Sequence, residues 1–311
     1  MIIPPYLKPG DTIGIVCPAG HMDAARAQQC IATLREWGFS VRVGKTLGNA
    51  FHYFSGTDEE RRLDLQEMMD DPSVHAILCA RGGYGTSRII DSLDFTRFNA
   101  HPKWIIGFSD VTVLHSHLYT VWNTASLHAP MAGAFNGEGA TGPYIDSLHK
   151  ALTGHAAGYS CGPHPLNRGG KAEGRLAGGN LSLLAHLTGS PSAIDTKGLL
   201  LFMEDVGEYF YNIDRMMIQL ARSKKLDHLA GLIVGGFTDM KDTVTPFGQS
   251  VEELIYDKVR HYPYPVCFGF PVSHGRENYA LKVGGRFRLE VNSGADGREG
   301  GPTVGAFLTE L

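Results

Sequence analysis

Apolar and polar positions follow two distinct rhythms in the first half of the chain. Thr12–Pro18 (TIGIVCP) is a short, nearly continuous apolar run that stops at Pro-Ala-Gly, as a buried parallel strand stops before a loop. Ala24, Ile31, Leu34 and Trp37 then recur at helical spacing, and Gly38 ends that helix. Phe39–Val43 predicts the next strand. Thr57-Asp58-Glu59-Glu60 is a capping box that opens a helix carrying Leu63, Leu65, Met68 and Met69. Val74–Ala80 (VHAILCA) and Trp104–Phe108 (WIIGF) predict two more buried strands. The first runs into the glycine loop Arg81-Gly82-Gly83-Tyr84-Gly85, the second into a helix with Val111, Leu114, Leu118 and Val121 at helical spacing. This alternation predicts an α/β fold whose parallel sheet is covered on both faces, with chemistry at the carboxyl ends of its strands.

The text changes between about Gly154 and Gly174, where Gly, His, Pro, Ser, Asn and Lys dominate and no apolar period survives. Residues 1–155 are therefore expected to form an N-terminal α/β domain, 156–173 a linker, and 174–311 a smaller C-terminal domain. In that last part Arg175–Gly189 predicts a loop and a short helix. Leu199–Met203 and Leu232–Val234 predict strands with the helix Tyr211–Ala221 between them. Tyr279–Val283 and Arg286–Val291 flank Gly284-Gly285 and predict a hairpin.

Composition narrows the field without choosing a function. Of 311 residues 43% are hydrophobic and 19% charged, which fits a folded chain and excludes a disordered or fibrous one. The formal charge is -4 with the signs interspersed, so no basic stripe offers itself to nucleic acid. Residues 1–10 hold neither a basic leader nor a long apolar run, and no later run reaches the ~18 apolar residues of a membrane helix. The expectation is a cytoplasmic protein. Its five cysteines (Cys17, Cys30, Cys79, Cys161 and Cys267) are widely spaced and odd in number, as buried free thiols would be.

Ser109 stands where an apolar strand turns into a helix. A serine there must turn sharply, which lifts its hydroxyl out of the sheet and aims the first helical N–H groups at the same spot. Gly107 relieves crowding beneath the turn, although Gly107-Phe108-Ser109-Asp110-Val111 lacks the second glycine of the α/β-hydrolase elbow. The competing reading is a serine that only caps the helix. A nucleophilic serine needs a base that is itself oriented by a carboxylate. Glu204, directly after Leu199–Met203, and His274, in the loop Phe270-Pro271-Val272-Ser273-His274-Gly275, both leave the ends of apolar runs. Their rival readings are a buried ion pair of Glu204 with Arg215 and a structural loop histidine. Amides of the glycine loop, with that of Asp110, could form an oxyanion hole, one such donor being worth roughly 2.7–4 kcal/mol.

Other chemistries fit less well. Gly83-Tyr84-Gly85 has no third glycine at Arg88, so the dinucleotide fingerprint fails. The stretch from Gly38 to Gly44-Lys45-Thr46 has one residue too many for a P-loop. His115 and His117 lie two apart on a helix and face different ways, and no His-Glu-x-x-His stretch occurs.

In order, the chain holds Leu7-Lys8-Pro9-Gly10-Asp11-Thr12, Arg81-Gly82-Gly83-Tyr84-Gly85, Ile106-Gly107-Phe108-Ser109-Asp110 and Gly178-Gly179-Asn180-Leu181. Glu204-Asp205-Val206-Gly207-Glu208, Ile213-Asp214-Arg215 and Pro271-Val272-Ser273-His274-Gly275 follow. Seven pieces across most of the chain make it resemble the LD-carboxypeptidases (muramoyltetrapeptide carboxypeptidases) and the related microcin C self-immunity hydrolases. The resemblance departs at Leu127-His128-Ala129-Pro130, where the family usually has Gly between His and Pro.

The resemblance implies a triad of Ser109, Glu204 and His274, beside which the amides of Gly83 and Asp110 are the candidates to hold the oxyanion. It implies an N-terminal domain like that of class I glutamine amidotransferases, a smaller β-rich α/β C-terminal domain, an active site between them, and a homodimer. No metal or organic cofactor is implied. The substrate would be a murein tetrapeptide losing its terminal D-alanine during cell-wall recycling, with Arg81 and Asn180 as candidates to bind it. Two alternatives stand beside this one. The first is microcin-type hydrolysis of an aminoacyl nucleotide, which the tryptophan-free stretch 180–189 favours less. The second is a non-enzymatic small-molecule binding protein.

Overall fold

The computed structural model describes residues 1–137, 141–293 and 304–311, and the chain divides into two compact units. The first comprises Met1–His155 and Tyr279–Val283. Its strands are β1 (Thr12–Val16), β2 (Ser40–Val43), β3 (Val74–Cys79), β4 (Trp104–Gly107), β5 (Ser126–His128) and the late strand Leu281–Val283. They form one sheet in the order Leu281–Val283, β5, β4, β3, β1, β2. All neighbours are parallel except Leu281–Val283, which runs antiparallel to β5.

The period of two in β1 explains why both faces are covered. Ile13 and Ile15 point into a core with Ile31, Leu34, Trp104 and Phe135. Gly14 points the other way and lets the helix Asp58–Asp70 come close, since a Cβ there would lie 2.8 Å from Met68 Sδ. The expected capping box opens that helix: the Thr57 side chain accepts from the Glu60 amide at 3.2 Å, and the Glu60 carboxylate accepts from the Thr57 amide at 2.7 Å.

The second unit comprises Ala156–Asn278 and Gly284–Leu311. It contains β6 (Gly158–Cys161), β7 (Gly170–Asn180), β8 (Leu199–Val206), β9 (Gly231–Thr238), β10 (Val266–Cys267) and the strands Arg286–Val291 and Ala306–Glu310. Across the sheet the order is β10, β9, β8, β7, Arg286–Val291, Ala306–Glu310, β6. The four strands β7 to β10 run parallel and the rest antiparallel. Leu201, Met203, Leu232 and Val234 of this sheet pack with Ile213, Met217 and Leu220 of the helix Phe210–Arg222 and with Ile255 and Val259. The architecture is thus mixed α/β with two sheets.

Several local expectations are corrected. Residues 156–173 are not a linker, because β6 and the start of β7 lie within them. β6 is an edge strand whose burial alternates at best, so it needs few apolar residues. Arg175–Asn180 is strand, and only Leu181–His186 is helical. The hairpin around Gly284-Gly285 does not form: Leu281–Val283 pairs with β5, and Arg286–Val291 pairs with β7. The apolar run 266–270 that leads into the His274 loop also reads as a strand, but only Val266–Cys267 joins the sheet. Part of the expected C-terminal domain, 294–303, lies outside the described residues. All five cysteines are free and buried, and no helix among the described residues is long and apolar enough to cross a membrane.

Candidate active site

In the first unit β4 ends at Gly107, and Ser109 opens a 3-10 turn (Ser109–Val111) that leads into the helix Thr112–Val121. Ser109 has φ +62, a left-handed conformation that costs a non-glycine residue about 1–3 kcal/mol and persists only when its surroundings over-determine it. Gly107 makes the turn possible. Its φ is +154, and a Cβ there would lie 2.9 Å from Val111 Cγ2 and 3.2 Å from Cys79 Cβ. The capping alternative fails, since neither the 3-10 turn nor the helix after it receives a side-chain cap.

The glycine loop lies against this serine. A Cβ on Gly82 would sit 2.9 Å from Ser109 Cβ, 3.1 Å from its Oγ and 3.2 Å from the Asp110 amide. The Gly82 carbonyl accepts from the Gly20 amide at 3.0 Å, and a trans peptide then turns the Gly83 N–H away from Gly20. Asp110 is buried and its Oδ2 accepts from the Thr86 amide at 2.8 Å, fixing the exit of the glycine loop to the serine turn. Arg81 is exposed at the rim and donates to the His21 carbonyl.

Beneath the turn lies a group that sequence reading had dismissed as a metal ligand and given no other role. His115 is fully buried, with Nε2 2.8 Å from the Gly107 carbonyl and Nδ1 2.8 Å from Ser126 Oγ. A carbonyl only accepts, so Nε2 carries the proton and Nδ1 of the neutral ring accepts from the serine hydroxyl. Burial pushes the imidazole down from 6.5 to about 4, and the bond to Gly107 opposes that shift.

The second unit holds the other two candidates. Glu204, near the end of β8, is fully buried, and its Oε2 lies 2.5 Å from His274 Nδ1. Nδ1–H donates to the carboxylate, which leaves Nε2 of a neutral ring as the basic nitrogen. Burial raises the Glu204 carboxyl above the usual carboxylate range, and the hydrogen bond to His274 pulls it back. Its other oxygen, Oε1, is buried with no hydrogen-bond partner among the described residues. Arg215 is engaged elsewhere: it donates to Asn212 Oδ1 at 3.3 Å and lies over the Tyr211 ring.

Glycines again decide the geometry. Gly235 and Gly236 of β9 admit the His274 loop, because a Cβ would come within 2.2 Å of the Val272 carbonyl at the first and 2.7 Å of Ser273 Cβ at the second. The Gly236 amide donates to that carbonyl at 2.9 Å. Ser273 Oγ donates to the Glu277 carbonyl at 2.9 Å and accepts from the Gly275 amide at 3.0 Å, holding the loop from within.

Asn180, opposite Glu204 in the β7–β8 register, is buried and structurally committed. Its Nδ2 donates to Asp205 Oδ1 at 2.8 Å and its Oδ1 caps the Leu183 amide at 3.2 Å. Asp205 also accepts from the Ser182 amide and hydroxyl at 2.8 and 2.7 Å. The pair Gly235-Gly236 was visible as a break in a strand, the one signal that could have flagged it. Among the described residues no three His, Cys, Asp or Glu side chains gather as a metal site.

A strained serine at the carboxyl end of a parallel strand, and a histidine oriented by a buried carboxylate, are parts that a hydrolase needs. Two family models match the chain: the LD-carboxypeptidase N-terminal domain over residues 13–129 and the LD-carboxypeptidase C-terminal domain over 173–289. The chain belongs to the LD-carboxypeptidase family. It is 36% identical to a probable murein peptide carboxypeptidase of Bacillus subtilis over 98% of this chain and 97% of the relative. It is 27% identical to the microcin C7 self-immunity protein MccF of Escherichia coli over 92% of each. Among solved structures, the muramoyltetrapeptide carboxypeptidase from Oxalobacter formigenes superposes with a TM-score of 0.82 at 27% identity, covering 96% of this chain and 98% of that one.

Proposed function

We propose that the chain is a serine carboxypeptidase that removes the terminal D-alanine of murein tetrapeptides, acting in the cytoplasm on peptides recycled from the cell wall. The observation that carries the reading is the buried Glu204 carboxylate on His274 Nδ1, because it orients an imidazole for proton transfer at Nε2. The strained Ser109 and the names of the relatives support it. The parallel sheet with its serine turn also favours likeness of the first unit to class I glutamine amidotransferases.

In this mechanism His274 Nε2 takes the proton of Ser109 Oγ as that oxygen attacks the carbonyl between an L-configured centre and D-alanine. The oxyanion is held by the amides of Gly83 and Asp110, and Glu204 stabilises the imidazolium. Collapse breaks the C–N bond, and Nε2–H protonates the leaving amine. A water then gives its proton to His274, attacks the ester carbonyl, and restores the serine hydroxyl. Arg81 is the candidate to hold the terminal carboxylate. Asn180 acts on substrate only indirectly, through Asp205 and the start of the helix Leu181–His186.

The test is product analysis on a panel of murein tetra- and pentapeptides and an aminoacyl-sulfamoyl adenosine. Release of D-alanine from tetrapeptides is the expected result. Turnover of the nucleotide alone would move the chain to the immunity reading.

A further inference from the structure

We infer that His115 is a positioning residue for the nucleophile: as a neutral imidazole it pins the Gly107 carbonyl and so holds Ser109 in its left-handed turn. The inference rests on the reading of Ser109 as nucleophile and adds a residue that neither reacts nor touches substrate.

The argument begins with what over-determines a strained serine. Peptide planes on either side of Ser109 must be fixed, since a small rotation at Gly107 would let φ at Ser109 relax. The Phe108 carbonyl, in the plane that enters Ser109, accepts from the Val111 amide at 3.2 Å, and on the far side Asp110 is tied to Thr86. One peptide further back, before Phe108, the restraint converges on one atom. The Gly107 carbonyl accepts from the Ala129 amide at 3.1 Å and from His115 Nε2 at 2.8 Å, so both its lone pairs are engaged. Glycine has no side chain to hold its own backbone, and at φ +154 it occupies a region closed to other residues. The restraint has to come from outside, and His115 supplies it from the helix that follows the turn. The chain leaves β4, turns at Ser109, and returns through the imidazole to the residue where it left.

Histidine suits this place because it offers a donor on one side and an acceptor on the other. Ser126 Oγ–H occupies Nδ1, which leaves Nε2–H for Gly107. Burial keeps the ring neutral, and the low imidazole pKa already described agrees with that.

The experiment compares His115→Gln, His115→Phe and Ser126→Ala with the wild-type chain and with Ser109→Ala. Steady-state release of D-alanine, the rate of labelling by a fluorophosphonate, and thermal unfolding are measured on each. His115→Phe keeps the bulk and removes the donor. It should lose about 10²-fold in kcat and in labelling rate with KM nearly unchanged, the scale expected when a reacting group is slightly misplaced. His115→Gln, whose amide can still donate to Gly107, should recover most of that loss. Ser126→Ala frees the ring to change tautomer and should lose about tenfold in both rates while staying folded. In ¹⁵N spectra the wild-type ring should show a protonated Nε2 and a bare Nδ1.

A folded His115→Phe protein with wild-type kcat and labelling rate would overturn the inference. If His115→Phe does not fold, unchanged rates in Ser126→Ala together with a protonated Nδ1 in the wild type do the same. Retained turnover in Ser109→Ala would instead remove the nucleophile assignment itself, so the two failures are distinguishable.

Discussion

The two halves of the proposed chemistry are held in place by different means. Ser109 is set by the backbone: a left-handed φ, a glycine at 107 where no Cβ fits, and Gly82 packed against it. Glu204 and His274 are set by a side chain: one buried carboxylate accepts from one imidazole, and the loop is admitted by Gly235-Gly236. The first arrangement stores strain and the second stores an unfavourable burial of charge. A nucleophile needs a fixed direction of attack, which backbone gives. A base needs a fixed tautomer, which a hydrogen-bond partner gives.

Substitutions can break this contrast from either side. The largest effect should follow Ser109→Ala, with kcat for D-alanine release down about 10⁶-fold and little change in thermal stability. Glu204→Gln should cost about 10⁴-fold by disturbing the tautomer. Because it removes a buried charge, its urea midpoint should stay level or rise, and a fall would mean that the carboxylate is a stabilising element instead. Acid should then separate structure from catalysis. His115 sits near 4 folded against 6.5 unfolded, so between those values the unfolded chain binds the extra proton. Its contribution is whole above pH 6.5 and fades as pH falls toward 4, by ~3 kcal/mol when fully lost. Urea titrations of the wild type and His115→Gln should diverge in that window, and parallel curves would count against a neutral buried ring. The smallest effects belong to the two glycine contacts. Gly82→Ala should lower kcat by about 10²-fold through displacement of Ser109, with stability nearly unchanged. Gly236→Ala forces a clash with Ser273, and should cost ~1–3 kcal/mol of stability with only a modest loss of rate.

Much of this was legible in the sequence, and the exceptions share a cause. Strands buried on both faces, such as β3 and β4, announce themselves as apolar runs, and the serine turn follows directly from β4. Glu204 and His274 stood out only as residues after apolar runs, and it was the family resemblance that joined them to Ser109. What escaped notice was decided by neighbours distant in sequence. β7 reads GKAEGRLAGGN and looks like loop, yet Gly178 is there because a Cβ would lie 1.9 Å from the Phe202 carbonyl of β8. Leu281-Lys282-Val283 looked like half a hairpin because Gly284-Gly285 is a strong local turn signal, but all three residues are buried beside β5. His115 gave no sign at all, since a helical periodicity records which face is covered and not which carbonyl lies beneath it.

That borrowed strand has a practical side. Because Tyr279–Val283 belongs to the first unit while the residues around it belong to the second, the polypeptide passes from one unit to the other three times. A gene cut after His155 would therefore encode a fragment whose β5 has a bare hydrogen-bonding edge, a template for aggregation. Anyone wishing to express the serine-bearing half alone should graft residues 279–283 back onto it through a short designed connection, and should expect inclusion bodies otherwise.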